Sequence, residues 1–228
     1  MRNNGDCRPG RRRLLALAGG LLLARAAGAA PGCVISPAQT EGPYFVDARL
    51  NRSDIRADAH PGPDGMIVAA GVPLALALRV LNAGAGCAPV AGAMVDIWHC
   101  DAAGIYSDTV DPSFDSRGHT FLRGYQVSGS DGAVRFLTIY PGWYRGRAVH
   151  IHFKVRTDAG REFTSQLYFD EAVTDEAHAH AAYRGRAGRR IPNAADGIFR
   201  DGGARLLLSP QRHGDGYAAA FDIGLKAA

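Results

Sequence analysis

Apolar residues recur at every second position over several short stretches of the chain, the period of a strand buried on one face. Over residues 74–81 the large side chains at 74, 76, 78 and 80 share one face, and Pro73 stands where a strand starts. Alternation and β-branched content predict further strands over residues 91–98, 120–127, 133–140, 149–155 and 163–169, with two closing strands over 205–208 and 217–223. Residues 128–132 read as the turn joining the third and fourth strands, and residues 158–160 as the hairpin turn between the fifth and sixth. Only residues 171–184, rich in Ala and His, read as a short helix. The pattern predicts an all-β fold, an antiparallel β-sandwich with long loops able to carry a site and little helix.

Two stretches fall outside the alternation. Residues 33–60 read as an extended lead-in draped over the core, with Tyr44 and Phe45 needing burial beside Gly42-Pro43. Residues 101–119 read as one long loop between the second and third strands. The 29 glycines fit many turns, and 228 residues suffice for one domain with a sizeable core.

The N-terminus reads differently. Arg11, Arg12 and Arg13 precede the apolar run 14–23, and Ala27-Gly28-Ala29 is a small-residue cleavage site. Residues 1–30 thus read as a secretory signal of the twin-arginine type, too short for a stable membrane span, and residues 31–228 as the exported domain, periplasmic or extracellular. Cys33 after Gly32 has the position of a lipid-attachment cysteine, but Ala30 and Pro31 are poor residues for that signal.

Removing the leader changes the charge. Six arginines and one aspartate lie in residues 1–29, so 26 basic and 22 acidic residues become 20 and 21. The mature chain is near neutral, which excludes the basic footprint of a nucleic-acid binder. The remaining basic cluster, Arg184, Arg186, Arg189 and Arg190, reads as a solvated loop. Cys33, Cys87 and Cys100 survive cleavage and meet an oxidising compartment. Cys87 and Cys100 flank one strand and are awkward partners, which leaves Cys33 with either.

The candidate chemistry centres on residues 140–155. His150 and His152 lie two apart on a predicted strand and so share a face. Alone, such a pair reads equally as two half-buried, hydrogen-bonded histidines. Tyr144 follows the Pro141-Gly142 turn, and Tyr106 lies on the long loop. Two phenolates and two neutral imidazoles form a hard set of net charge −2, which suits one non-haem Fe(III) ion per chain. Zinc more often takes Cys or three His, and calcium carboxylates.

Four stretches then carry a resemblance: Thr40-Glu41-Gly42-Pro43-Tyr44; Val95-Asp96-Ile97-Trp98-His99 through Gly104-Ile105-Tyr106-Ser107; Pro141-Gly142-Trp143-Tyr144; and Arg147-Ala148-Val149-His150-Ile151-His152-Phe153. In that order they resemble the intradiol ring-cleavage dioxygenases, the non-haem Fe(III) enzymes that include protocatechuate 3,4-dioxygenase and catechol 1,2-dioxygenase. The resemblance implies cleavage of a catechol ring between its two hydroxyl-bearing carbons, with both atoms of O2 retained in a muconate-type dicarboxylate. It implies Tyr106, Tyr144, His150 and His152 as iron ligands, Tyr144 being the one that leaves the metal when substrate binds. It implies Arg147 and Gln166 as active-site residues, Arg147 steadying developing negative charge against the substrate. Thr40, Gly42 and Pro43 match a segment lining the substrate pocket.

His99 reads as a core histidine or one behind the ligands, and His178 and His180 have no site role. The blander readings are a surface ion pair for Arg147 and a cross-strand hydrogen bond for Gln166. The sequence departs from the family in leaving no room for the helical N-terminal dimerisation segment of the catechol enzymes. Only five residues separate Tyr144 from His150, which leaves a more open pocket. The expected partners are a small aromatic diol and O2, without nucleic acid or a membrane span in the mature chain; homo-oligomerisation is left open. Two alternatives stand beside this reading: a non-catalytic sandwich that binds phenolic ligands or a partner protein, and a copper or zinc enzyme using the His pair alone.

Overall fold

The structure is a computed structural model that describes residue 1 and residues 33–185, 188 and 190–226. The leader read over residues 1–30 lies outside the described residues beyond Met1, as do Arg186 and Arg189. The chain forms β1 over Pro73–Asn82, β2 over Ala88–Pro89, β3 over Met94–Trp98, a small hairpin of β4 (Val110–Asp111) and β5 (Phe114–Asp115), β6 over Arg123–Val127, β7 over Ala133–Ile139, β8 over His150–Arg156 and β9 over Glu162–Phe169. Helices α1 (Glu171–His178) and α2 (Gly197–Arg200) follow, then β10 (Leu207–Leu208), β11 (Gln211–His213) and β12 (Gly216–Leu225).

The larger strands form two five-stranded sheets. One runs β11-β12-β1-β2, with β7 also paired to β1; the other runs β10-β9-β8-β3-β6. Alternation puts Leu74, Leu76, Leu78 and Val80 of β1 into one apolar core with Val95 and Ile97 of β3 and Ile151, Phe153 and Val155 of β8. Both sheets therefore feed a single core. Each such side chain stabilises the fold by about 1.5–3 kcal/mol through removal from water.

The expectation of purely antiparallel sheets is corrected. β1 pairs with β12 in parallel over Leu74–Asn82, and β10 pairs with β9 in parallel. No hairpin sets the relative direction of the first and last long strands, because β2 to β11 lie between them. Residues 128–132 join the third and fourth predicted strands as expected, and because β6 lies in one sheet and β7 in the other they do so without forming a hairpin. The turn carries the chain between sheets, and Gly132 permits it: φ is +75°, and a Cβ there would lie 2.5 Å from the carbonyl oxygen of Val80.

Smaller differences have local causes. The strand expected from residue 120 begins at Arg123, because Leu122 takes φ of +56° and breaks the extended run. Residues 203–206 form a 3-10 turn, so only Leu207–Leu208 of the expected 205–208 strand pairs. The helix expected to reach 184 stops at His178, and His180 caps a separate 3-10 turn over Ala181–Tyr183.

The other face of the β8 sheet is polar yet buried, and this positions the site. Asp96 and Trp98 of β3, His150, His152 and Lys154 of β8, and Gln166 and Tyr168 of β9 are all at least 93 % buried. The lead-in covers them as expected. Gln39 N–H donates to the Thr164 carbonyl at 3.0 Å, Ser165 Oγ to Pro37 at 2.6 Å, and Tyr125 N–H to Leu50 at 2.8 Å. A Cys33–Cys87 disulfide fixes the start of the lead-in near the end of β1, settling the choice the sequence left open.

Candidate metal centre

Strand register assembles the floor of the site. His152 lies opposite Trp98 on one side and Gln166 on the other, and His150 lies opposite Tyr168. The two histidines face the same way because Ile151, between them, turns into the core. Their Nε2 atoms are 3.0 Å apart. His150 Nδ1 is 2.7 Å from the Ala148 carbonyl oxygen, so Nδ1–H donates there and leaves the Nε2 lone pair free to bind a cation. Burial holds both rings neutral: His150 is pushed down to about 3, and His152 falls well below the ordinary value, with His150 as the next cause.

Tyr106 comes from the long loop and is fully buried, its hydroxyl 3.4 Å from His150 Nε2. Polar contacts fix its backbone. The Tyr106 carbonyl accepts from Thr109 Oγ1 at 3.0 Å and Ser116 Oγ at 2.5 Å. Next to it, Arg123 Nε donates to Ser107 Oγ at 2.8 Å and Arg123 Nη2 to the Ser107 carbonyl. Tyr44 of the lead-in stacks on the Tyr106 ring at 4.5 Å and is anchored at its hydroxyl by Asp111 at 2.7 Å.

Tyr144 lies edge-on to Tyr106 and to His150, with both centroid distances 5.6 Å. The turn before it is tight, since a Cβ on Gly142 would lie 2.3 Å from the Asp101 carbonyl oxygen. Burial raises the pKa of both phenols. Arg147 counters that rise at each of them, more directly at Tyr144, where its Nη1 lies 3.2 Å from the hydroxyl.

The four predicted ligands therefore converge. Among the described residues no cluster of three or more His, Cys, Asp or Glu could hold a metal; the two histidines stand together with the two tyrosines instead. Two facing imidazole nitrogens beside two phenols fit a hard trivalent cation, and iron(III) matches that set.

Arg147 and Gln166 also sit in the site. Arg147 Nη2 donates to Gln166 Oε1 at 2.5 Å, and Gln166 Nε2 to the Thr40 carbonyl at 2.8 Å. Arg147 is thus not a surface ion pair; its partner Asp196 is 1 % exposed. Burial pulls the guanidinium pKa down, but Tyr144 and Asp196 outweigh that and raise it. Gly42, at φ of +72°, brings the lead-in so close to His152 that a Cβ would meet its Cε1 at 3.3 Å. Thr40 and Pro43, on either side, are exposed at the rim. His99 is buried apart, bonded to Thr138 and the Cys100 carbonyl. His178 supports the Tyr144 turn through the Pro141 carbonyl at 2.9 Å and is not a ligand.

Sequence reasoning missed Asp196, Trp98 and Arg123 as parts of the site. Asp196 does carry a local signal, an acidic N-cap before an apolar pair, but that marks a helix start and not a contact 49 residues away. Trp98 shares the parity of the site face, but its place beside His152 depends on register.

Comparison with known proteins shows which family the chain is similar to. A family profile described as Dioxygenase matches residues 40–188, which include the four donors, Arg147 and Gln166. Catechol 1,2-dioxygenase 1 of Acinetobacter lwoffii is 29 % identical over 155 residues, 58 % of this chain and 45 % of that protein. The protocatechuate 3,4-dioxygenase beta chain of Burkholderia cepacia is 36 % identical over 100 residues, 40 % of this chain and 42 % of that one. The chain thus spans under half the length of these curated relatives. Among solved structures, an intradiol ring-cleavage dioxygenase from Tetranychus urticae superposes with a TM-score of 0.73 at 28 % identity, covering 85 % of this chain and 95 % of that one. The dioxygenase domain of a carbohydrate-binding fusion from Streptomyces sp. SirexAA-E gives 0.62 at 29 % identity, covering 86 % and 100 %.

Proposed function

This chain belongs to the intradiol ring-cleavage dioxygenase family, and from that premise we propose that it is an iron(III)-dependent dioxygenase. It cleaves a catechol-type ring between its two hydroxyl-bearing carbons, takes up both atoms of O2, and releases a muconate-type dicarboxylate and two protons. The observation that carries the reading is that Tyr106, Tyr144, His150 and His152 come together, three of them buried and Tyr144 half-buried at their edge.

Tyr106, Tyr144, His150 and His152 would hold the ion. When bound, iron(III) supplies the charge that acidifies a catechol and opens its ring to dioxygen. The protein's own groups do the rest. Tyr106, clamped by Tyr44 and the Ser107–Arg123 contacts, is the fixed oxygen donor. Tyr144 is only half-buried and stands on a turn, so it is the donor free to move and to take a substrate proton. Arg147 offers a directed N–H to that phenol and to negative charge developing beside it. Gln166 ties Arg147 to the Thr40 carbonyl and so joins the lead-in to the site. Stacked Tyr44 and Trp98 shield the ligand rings from water.

The two sheets around one core we read as a β-sandwich. Export by the twin-arginine route completes the proposal, on Arg11–Arg13 and the apolar run behind them. Among the described residues no helix is long and apolar enough to cross a membrane.

The test is a visible spectrum of the iron-loaded mature protein with a catechol titration, oxygen uptake and product analysis. Tyrosinate bound to iron(III) gives a broad visible band that should shift with catechol and fade in Tyr106→Phe. A protein that stays colourless after iron loading and takes up no oxygen with catechol overturns the reading; a phenol-binding module then leads.

A further inference from the structure

Asp196 lies beyond the stretch matched to the family, and the reading above does not use it. It is 1 % exposed and accepts four N–H groups. Oδ2 takes Arg147 Nε and the Ala148 backbone N–H, both at 2.9 Å. Oδ1 takes the N–H groups of Ile198 at 2.8 Å and Phe199 at 3.3 Å, capping α2. The second pair alone would not require a carboxylate, since serine or asparagine caps a helix as well. What needs a carboxylate is the two pairs together, because serine and asparagine each have only one side-chain oxygen to accept with. One atom binds both the side chain of Arg147 and the peptide that follows it, so the guanidinium is fixed relative to its own entry into β8.

With Nε held, the plane of the guanidinium is set. Nη1 then reaches Tyr144 at 3.2 Å and Nη2 reaches Gln166 at 2.5 Å. Three directions of one rigid fork meet three different partners. The ion pair is neutral as a whole, so Arg147 presents aimed N–H groups to the site more than a bare charge. Loss of Asp196 leaves Nε–H without its acceptor and frees the fork to turn away from the phenol.

We propose that Asp196 is a positioning residue of the ring-cleavage site: its carboxylate aims Arg147 at the Tyr144 hydroxyl and at the space a catecholate shares with it. The proposal rests on the function assigned above. Asp196 acts through Arg147 and does not touch substrate.

A double-mutant cycle tests it in the iron-loaded protein. Asp196→Ser keeps a helix-capping oxygen and loses the reach to Arg147. Asp196→Asn keeps the shape and serves if the serine variant does not fold. Each is made alone and with Arg147→Gln. The readouts are kcat and KM for catechol, the anaerobic catechol dissociation constant from the visible band, and iron content. Asp196→Ser should lower kcat about 10–100-fold, the usual cost of removing a group that orients a residue at a metal site. It should shift the substrate-free band through the altered Tyr144 hydrogen bond while iron content holds. In the Arg147→Gln background the same substitution should cost nothing further in kcat or in catechol binding. Equal losses in both backgrounds would show that Asp196 only braces the fold and would overturn its role at Arg147. A wild-type protein with no iron band and no catechol cleavage would instead overturn the assigned function, and the role of Asp196 with it.

Discussion

Trp98 lies flat against His152, ring centroids 4.9 Å apart and planes 6° from parallel. Both rings are at least 99 % buried, and Trp98 Nε1 and His152 Nδ1 have no hydrogen-bond partner among the described residues. The contact is therefore one of shape and stacking. Trp98→Phe should keep the stack, remove an unpaired N–H and leave stability and iron affinity close to wild type. Trp98→Ala should cost about 3–5 kcal/mol in a denaturant melt. It should also weaken iron about 10–100-fold in a chelator competition, because His152 loses the wall that orients it. Unchanged iron affinity in the alanine variant would remove Trp98 from the account of the site.

The turn before Tyr144 gives a second expectation. A Cβ at Gly142 would lie 2.3 Å from the Asp101 and 2.7 Å from the Ala102 carbonyl oxygens. Both obstacles are backbone of the loop leading to Tyr106, so neither can swing aside. Gly142→Ala should force the two tyrosine-bearing loops apart, at a cost of about 1–3 kcal/mol. It should weaken the visible band of the iron-loaded protein more than its stability alone explains. A variant that melts lower with its band intact would show that the loops part without moving the phenols.

Acid sensitivity follows from Asp58. Its Oδ1 accepts the N–H groups of Thr120 and Phe121, and its Oδ2 accepts from Ile67 N–H and His119 Nδ1. Burial pushes this carboxyl up, but His119 and the backbone donors outweigh it and hold the pKa below the ordinary range. A carboxylate lowered in the folded state stabilises fully above its unfolded pKa of about 3.9 and loses that contribution as pH falls through the lower native value. Asp58→Asn should therefore destabilise at neutral pH, and the difference from wild type should shrink as pH falls below about 4. Melting curves across pH check this; a gap of constant size would exclude the carboxylate as its source.

The Cys33–Cys87 bridge closes a 54-residue separation that spans the whole lead-in. Chain-entropy arguments put its contribution near 4 kcal/mol as a ceiling. Cys87→Ser should lower the unfolding midpoint. Hydrogen exchange should quicken first at the start of the lead-in, at Ser36 and Gln39, whose N–H groups bond to Gly224 and Thr164. Uniform loosening across both sheets would show that the bridge supports the core and not the cover.

Local chemistry made much of this protein legible. The alternation at 74, 76, 78 and 80 marks a strand because a pleated backbone turns every second side chain to the same face, and β1 follows it. The His-x-His spacing places two imidazoles together for the same reason. Tyr106 and Tyr144 could be named as candidates from residue type and their places on loops, and Arg147 and Gln166 from the resemblance of the motifs to a known family. What tertiary structure decided are pairings between distant segments. The parallel match of β1 with β12, the register that sets Trp98 beside His152, and the reach of Asp196 to Arg147 each join parts of the chain far apart in sequence. Periodicity fixes which face a residue takes; only packing of the whole chain, where loop closure is weighed against burial, fixes what stands opposite it.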